Sequence, residues 1–242
     1  MNLSFGNDPI LYLLLIVGAL FVNACYQLSV SVLTYLSSHS LSRRTSAKRL
    51  LWLGSSYTFG AVVATSLVLL FVVSLTTIGG QNLHSEALQI FSLVVIVIVP
   101  IIGLATMVFY YRRGDGTKLW LPRPVAKYLT KRAQRTKSGF ESALLGAGTV
   151  VGELPFIVAP LALVSLVLAD QPTSSWAGWS LAYGMLAGLP MIAVVFYLTS
   201  GHSIARLQRW REQSKTFLQW TSGIALVLLT IYAVLGQLGV LS

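Results

Sequence analysis

Residues 142–169 read SALLGAGTVVGELPFIVAPLALVSLVLA and carry a single charge, Glu153. About 20 consecutive apolar residues suffice to cross the hydrocarbon core of a bilayer as a helix, and this run is longer. Fourteen of its residues are Leu, Ile, Val or Phe. On an insertion scale each contributes ~0.3–0.6 kcal/mol, about 4–8 kcal/mol together, against roughly 2.5–3.5 kcal/mol for an acid at the helix centre. The segment therefore inserts with its glutamate. Insertion does not explain why the glutamate is there.

Similar runs fill the rest of the chain. Residues 9–42, 50–83, 87–111 and 216–242 contain no Asp, Glu, Lys or Arg, and 171–205 contain only His202. These stretches predict six membrane-crossing helices at 10–37, 51–76, 87–111, 139–168, 177–200 and 217–240. The runs are continuous, whereas strands of a membrane barrel alternate in segments of ~10 residues, so the fold class is all-α and polytopic. Composition agrees. Of 242 residues 55% are apolar and 10% charged, against about 25% charged in a soluble domain. The first span is not read as a cleaved signal, because MNLSFGNDP lacks the basic start that such a signal requires.

The 17 Lys and Arg against 7 Asp and Glu give a net charge of +10. In a soluble protein that excess would point to nucleic acid. Here its placement points elsewhere, and no nucleic-acid partner is expected. Four cations lie in 43–49, nine in 112–137 and four in 206–215, which accounts for all of them. The segments 77–86 and 169–176 and both ends have none. The positive-inside rule then makes the three basic segments cytoplasmic and puts both termini outside, in a plasma (inner) membrane. Within the longest basic segment, Pro124 suits the first position of a helix. Val125, Tyr128, Leu129 and Ala133 would share one face, with Lys127, Lys131, Arg132 and Arg135 around the others. Residues 123–137 thus read either as an amphipathic helix on anionic lipid or as a solvated connector.

A shift of 128 residues lays GALFVNACYQLSVSVLTYLS (18–37) on GAGTVVGELPFIVAPLALVS (146–165), with identities at Gly18/Gly146, Ala19/Ala147, Val22/Val150, Val30/Val158, Leu33/Leu161 and Ser37/Ser165. The same shift pairs Gly60 with Gly188, and a shift of 130 pairs Leu88-Gln89 with Leu218-Gln219. Two halves follow, 1–111 and 139–242, joined by the basic linker 112–138. Three helices per half is an odd number, so the halves are inverted relative to one another. That is the plan of many transporters, whose sites lie at the midplane between repeats.

The candidate site residues sit in the first helix of each half. Glu153 has no Lys or Arg at membrane depth in this reading. It is either a proton or cation carrier or a protonated acid bonded to a neighbour. Pro155 and Pro160 remove amides and free the carbonyls of Val151 and Phe156, so the helix is expected to be irregular there. Pro190 and Pro100 would act likewise in helices 5 and 3. In helix 1, Asn23, Tyr26 and Gln27 make an unusually polar stretch, and the shift places Cys25 on Glu153. Cys25 is the only cysteine. It is either a buried apolar group or a redox thiol. His39, His84 and His202 all fall between spans, so no metal site and no cofactor are expected. No GxSxG, Walker A or HExxH motif is present, and no catalytic residue is assigned.

Two inverted three-helix halves, each with a polar or proline-bearing motif in its first helix, resemble the lysine-exporter (LysE) superfamily in its broad sense. NACYQLS and GELPF sit where the similar CcdA family and the membrane domain of DsbD carry Pro-Cys motifs. That resemblance implies electron transfer through a cysteine pair. Cys25 matches the first cysteine, while Glu153 and Pro155 occupy the region of the second. The ELP motif is similar to that of GAP-type and cadmium-resistance-type exporters of the same group, which implies transport of a small molecule or ion. Three readings follow: a secondary transporter using Glu153, a thiol relay using Cys25, and a membrane subunit without turnover. Self-association into a homo-oligomer is compatible with each. The charge placement makes a prediction. Cysteines introduced at Gln81 and Thr173 should react with an impermeant thiol reagent from outside intact cells, and those at Ser46 and Ser214 should not. Labelling of Ser46→Cys from outside would overturn the orientation.

Overall fold

The computed structural model describes residues 9–26, 28–38, 46–82, 84–109 and 123–237, and its regular structure is entirely helical. Eight helices follow in order: α1 (Pro9–Cys25), α2 (Leu28–Ser38), α3 (Ser46–Asn82), α4 (His84–Phe109), α5 (Arg123–Arg135), α6 (Gly139–Ala169), α7 (Thr173–Thr199) and α8 (Ile204–Gln237). Four segments are long and apolar enough to cross a membrane: Ala47–Thr77, Gly139–Ala169, Thr173–Thr199 and Ile204–Gly236. Ile10–Cys25 and Leu93–Val108 are shorter apolar helices.

The central contact is between α3 and α6, which run parallel. Ser142 Oγ donates to the Leu53 carbonyl at 2.7 Å near one end, and Thr76 Oγ1 donates to Ser165 Oγ at 3.5 Å near the other. Between them the backbones nearly touch. A Cβ on Gly60 would lie 1.9 Å from the Ala143 carbonyl oxygen, and one on Gly146 would lie 2.0 Å from that of Tyr57. Such small-residue crossings suit a bundle in lipid, where apolar area alone gives helices no reason to associate. On its other side α3 packs against α7, with Gly184 against Ser66 and Val195 against Gly54. That register makes the two antiparallel. Helix α8 runs antiparallel to α4, where Gln219 Nε2 donates to the carbonyls of Thr106 and Met107 at 3.0 and 2.7 Å. It is also antiparallel to α1, with Leu229 against Gly18 and Leu11 against Gly236.

The interior is lined by Leu15, Val22, Leu69, Val99, Val150, Leu161 and Leu226. The outer surface is apolar as well. Leu13, Phe21, Leu67, Phe71, Ile101, Leu104, Phe196, Leu228 and Ile231 are all exposed. A surface that greasy on every long helix marks a chain compatible with membrane embedding rather than one built to face water.

Several boundaries depart from the sequence reading. The predicted helix 10–37 is two helices, broken after Cys25, and Tyr26 N–H closes a turn on the Asn23 carbonyl at 3.2 Å. No proline or glycine lies there. Helix α6, by contrast, runs unbroken through Pro155 and Pro160, so the irregularity expected around them falls in the facing element instead. The segment 201–216 is not a loop. Gly201, at φ 83°, ends α7 in the left-handed region, and α8 begins three residues later with Ser203 capping Arg206 N–H.

The start of α6 falls where predicted. The Ser138 hydroxyl accepts from Glu141 N–H, and the Glu141 carboxylate accepts from Lys137 N–H, a variant of the S-x-x-E capping box. Residues 123–135 are helical as the amphipathic pattern suggested, and part of their apolar face meets protein. Leu129 and Ala133 of α5 are buried against Val32, Leu33, Leu36, Tyr57 and Leu145, while Tyr128, Lys131, Arg132 and Arg135 stay exposed.

The α3–α6 crossing generates a stability test. Replacing Gly by Ala in a helix gains about 1 kcal/mol of intrinsic propensity, whereas overpacking costs about 1–3 kcal/mol. Gly178→Ala, with nothing within 4 Å of its new Cβ, should melt at the wild-type temperature or above it. Gly60→Ala should melt lower in the same detergent. Equal melting would mean the crossing is looser than described.

Candidate functional site

The break between α1 and α2 faces α6. Ending α1 at Cys25 deprives carbonyls of its last turn of their usual i+4 amide, and starting α2 at Leu28 deprives N–H groups of its first turn of an intrahelical carbonyl. The two half-helix ends thus present opposite partial charges to the same place. Ser29, in the first turn of α2, donates from Oγ to Glu153 Oε2 at 3.0 Å. Glu153 is only 6% exposed. It projects from the middle of α6 towards the positive end of α2, as expected for a carboxyl group in an apolar bundle.

A second row of bonds holds Ser29 in place. Tyr57 of α3 donates to the Ser29 carbonyl at 3.0 Å and shares a 2.8 Å bond with Thr149 Oγ1, which also lies 2.7 Å from the Gly146 carbonyl. Tyr57 is fully buried. The Gly146 approach that draws α3 onto α6 therefore also sets the Tyr57 hydroxyl beneath the half-helix end. Tyr26 and Tyr57 are both close enough to Glu153 to interact with it electrostatically, and Tyr26 is close enough to Cys25 and Tyr183.

Next to Glu153 lies a cavity of about 20 Å³, room for about one water molecule. Its polar lining comes from Asn23, Tyr26, Ser29, Thr65 and Glu153, and its wall from Pro190, Ala187 and Ile157. Of the residues singled out in the sequence, Asn23, Tyr26, Glu153 and Pro190 therefore converge. Pro155 does not join them: it is exposed on the far side of α6. Pro160 is buried elsewhere in α6, and Pro100 is half-buried in α4. Gln27 lies outside the described residues. Cys25 is buried at the last position of α1, a free thiol beside the cavity rather than in its wall.

Two features were not read from the sequence. The first is Arg211. It belongs to the basic segment 206–215, yet it is 2% exposed and donates to Ser31 Oγ of α2. A cation thus reaches α2 two residues beyond the serine that bonds Glu153. The extension of α8 back to Ile204 carries it there, and a charge count cannot show that. The second is a pair on α7. Ser180 and Tyr183 are 1% and 3% exposed, and their hydroxyls find no hydrogen-bond partner among the described residues. A buried hydroxyl without a partner costs about 1–3 kcal/mol. Among the described residues no group of three or more His, Cys, Asp or Glu converges, so Glu153 is the carboxylate this cavity offers.

The fold and cavity define an all-helical chain compatible with membrane embedding, with a buried acid at a broken helix. Comparison with known protein families, with curated proteins and with solved structures finds no match.

The bonds around Ser29 make a local prediction. Ser29→Ala removes the donor to Glu153, and Tyr57→Phe removes the donor to the Ser29 carbonyl. Each should destabilise by about 1 kcal/mol or somewhat more, as for a buried hydrogen bond whose partner is left unmet. The double variant should lose less than the sum, because the two bonds hold one element. Strict additivity in thermal or denaturant unfolding would show that they act separately.

Proposed function

We propose that the chain is a secondary transporter or exporter of a small solute or cation, with Glu153 as its proton- or cation-carrying group. One observation carries this reading. A buried acid faces a water-sized cavity at the point where the opposing helix breaks into two halves. Regular membrane proteins avoid both features: an acid in a span is costly, and interrupted backbone persists there only where protein or a polar cavity satisfies it. Transporters place such breaks at the midplane because half-helix ends hold ions without full countercharges.

The packing supports the six-segment, inverted-repeat reading that goes with it. With α1 and α2 as one interrupted segment, the halves pair α1–α2 with α6, α3 with α7, and α4 with α8. Each of these pairs is in contact and antiparallel, as a two-fold axis in the membrane plane requires. Gly60 and Gly188 are both close-contact points, though Gly60 meets α6 and Gly188 meets α3, so the repeat is approximate. The resemblance to the LysE superfamily supports the same plan. In this reading both termini lie outside a plasma membrane. The exposed cations of α5 and of the α8 start then lie at the cytoplasmic headgroups, where anionic lipid would meet them.

Glu153→Gln tests the proposal. The amide keeps the size and the acceptor for Ser29 but cannot carry a proton or balance a cation. The variant should insert and melt like wild type, while uptake or efflux in sealed vesicles, with its pH response, is lost. Glu153→Leu should lose transport and stability together, since it leaves the Ser29 hydroxyl unmet. Full activity with an unchanged pH response in Glu153→Gln would sink the carrier role.

A further inference from the structure

We propose that Glu153 exchanges protons with the outer side of the membrane along a water-lined path that passes Tyr26, Tyr183 and Ser180. The inference rests on the reading of Glu153 as the carrier and adds the route and the ion. The observation behind it is the placement of two buried hydroxyls, of Ser180 and Tyr183, that find no partner among the described residues. Ala187 and Met191 of α7 line the Glu153 cavity. Tyr183 and Ser180 lie four and seven residues before Ala187, on the same buried face of α7. At 1.5 Å per residue, that places them about 6 and 10 Å from the cavity, towards the end of α7 that begins at Thr173. That end adjoins the turn at 170–172, opposite the basic segments. Tyr26 closes the gap, since it lines the cavity and is near Tyr183.

The chemistry favours a proton. The cavity has room for about one water, which suits a relay and not a hydrated metal ion. The groups along the path are hydroxyls, each able to donate and accept. The titratable groups around the site are Cys25 at the end of α1, Tyr26 just beyond it, Tyr57 on α3 and Tyr183 on α7. Arg211 of α8 is bonded to α2 two residues beyond Ser29, and the described side chains of α4 contribute none. At the outer end Tyr12 of α1 donates to Asp170 at 3.4 Å, so Glu153 is the acid at the inner end of this route. The step is simple: a hydronium at the outer end releases a proton to the relay, a Glu153 carboxylate oxygen takes one from its inner end, and only O–H bonds form and break. The positive end of α2 and the Ser29 hydroxyl hold the carboxylate when the proton leaves. Tyr57 and Thr149 bond to backbone on the opposite side of Ser29, so the orphaned hydroxyls mark the outer side as the open one.

The test needs no substrate, so the route and the transporter reading can fail separately. The purified full-length protein in a lipid film is exposed to D₂O, and the carbonyl stretch of protonated Glu153 is followed by infrared difference spectroscopy. Its loss in Glu153→Gln assigns the band. In Tyr183→Phe, the isotope shift of that band should slow by about tenfold or more, while the melting temperature holds or rises, because an unmet hydroxyl has gone. Ser180→Ala should slow it less. Sidedness is read from Ser180→Cys in a Cys25→Ser background, which should react with a small impermeant thiol reagent from outside and not from inside. An unchanged exchange rate in Tyr183→Phe, labelling from inside alone, or no labelling would each overturn the route. So would a Glu153 band that never appears. Loss of vesicle transport in Glu153→Gln with unchanged exchange in Tyr183→Phe would leave the carrier and remove the path.

Discussion

A carboxyl group inside an apolar bundle has to be met by donors from its own chain, because hydrocarbon offers none. In this protein one such donor is the Ser29 hydroxyl, and its position depends on α1 ending at Cys25. An unbroken helix would keep its own N–H groups through residues 26–29 and offer no dipole end to Glu153. Breaking it supplies a positive helix terminus and a hydroxyl at one point. Tyr57 then fixes Ser29 from below, and Tyr57 is in place because Gly60 and Gly146 let α3 and α6 close to backbone contact. Close packing of small residues and burial of an acid are thus linked steps.

The same linkage explains why the proline-bearing helix stays whole while its polar neighbour does not. Pro155 and Pro160 each cost α6 one amide, but its length and dense packing on α3, α1 and α4 hold it together. Helix α1 lacks that support. Its neighbours are fewer, and its continuation α2 is held by other elements, with Leu129 and Ala133 of α5 on one side and Arg211 on another. Competing tertiary contacts at the two ends of one span favour a break between them.

Helix α5 and the start of α8 illustrate a related point about charge. Residues 123–137 read as a solvated connector or a lipid contact, and both α5 and the start of α8 also contribute to the interior. Leu129 and Ala133 cap the end of the bundle, and Arg211 is buried against α2. A long arginine stem carries its head far from its own backbone, so a cation whose Cα belongs to a peripheral segment can reach a buried hydroxyl.

Much of this architecture was legible in the chain itself. Apolar runs of sufficient length made helices inevitable, and the run from 139 placed the start of α6. The rarity of charge singled out Glu153, and polar crowding singled out Asn23 and Tyr26. These are local properties: hydropathy, capping and composition act through neighbours along the sequence. What the sequence could not determine depends on contacts between distant segments. The end of α1 at Cys25 has no proline or glycine to announce it, and the pairing of Glu153 with Ser29 spans more than a hundred residues. Arg211 enters the interior because α8 starts early. Pro155 faces outward because helical periodicity turns it away from Glu153 two residues before. Ser180 and Tyr183 look like ordinary helix residues until the packing of α7 buries their hydroxyls without partners. Local pattern chose the elements, and tertiary contact chose which of their polar groups meet.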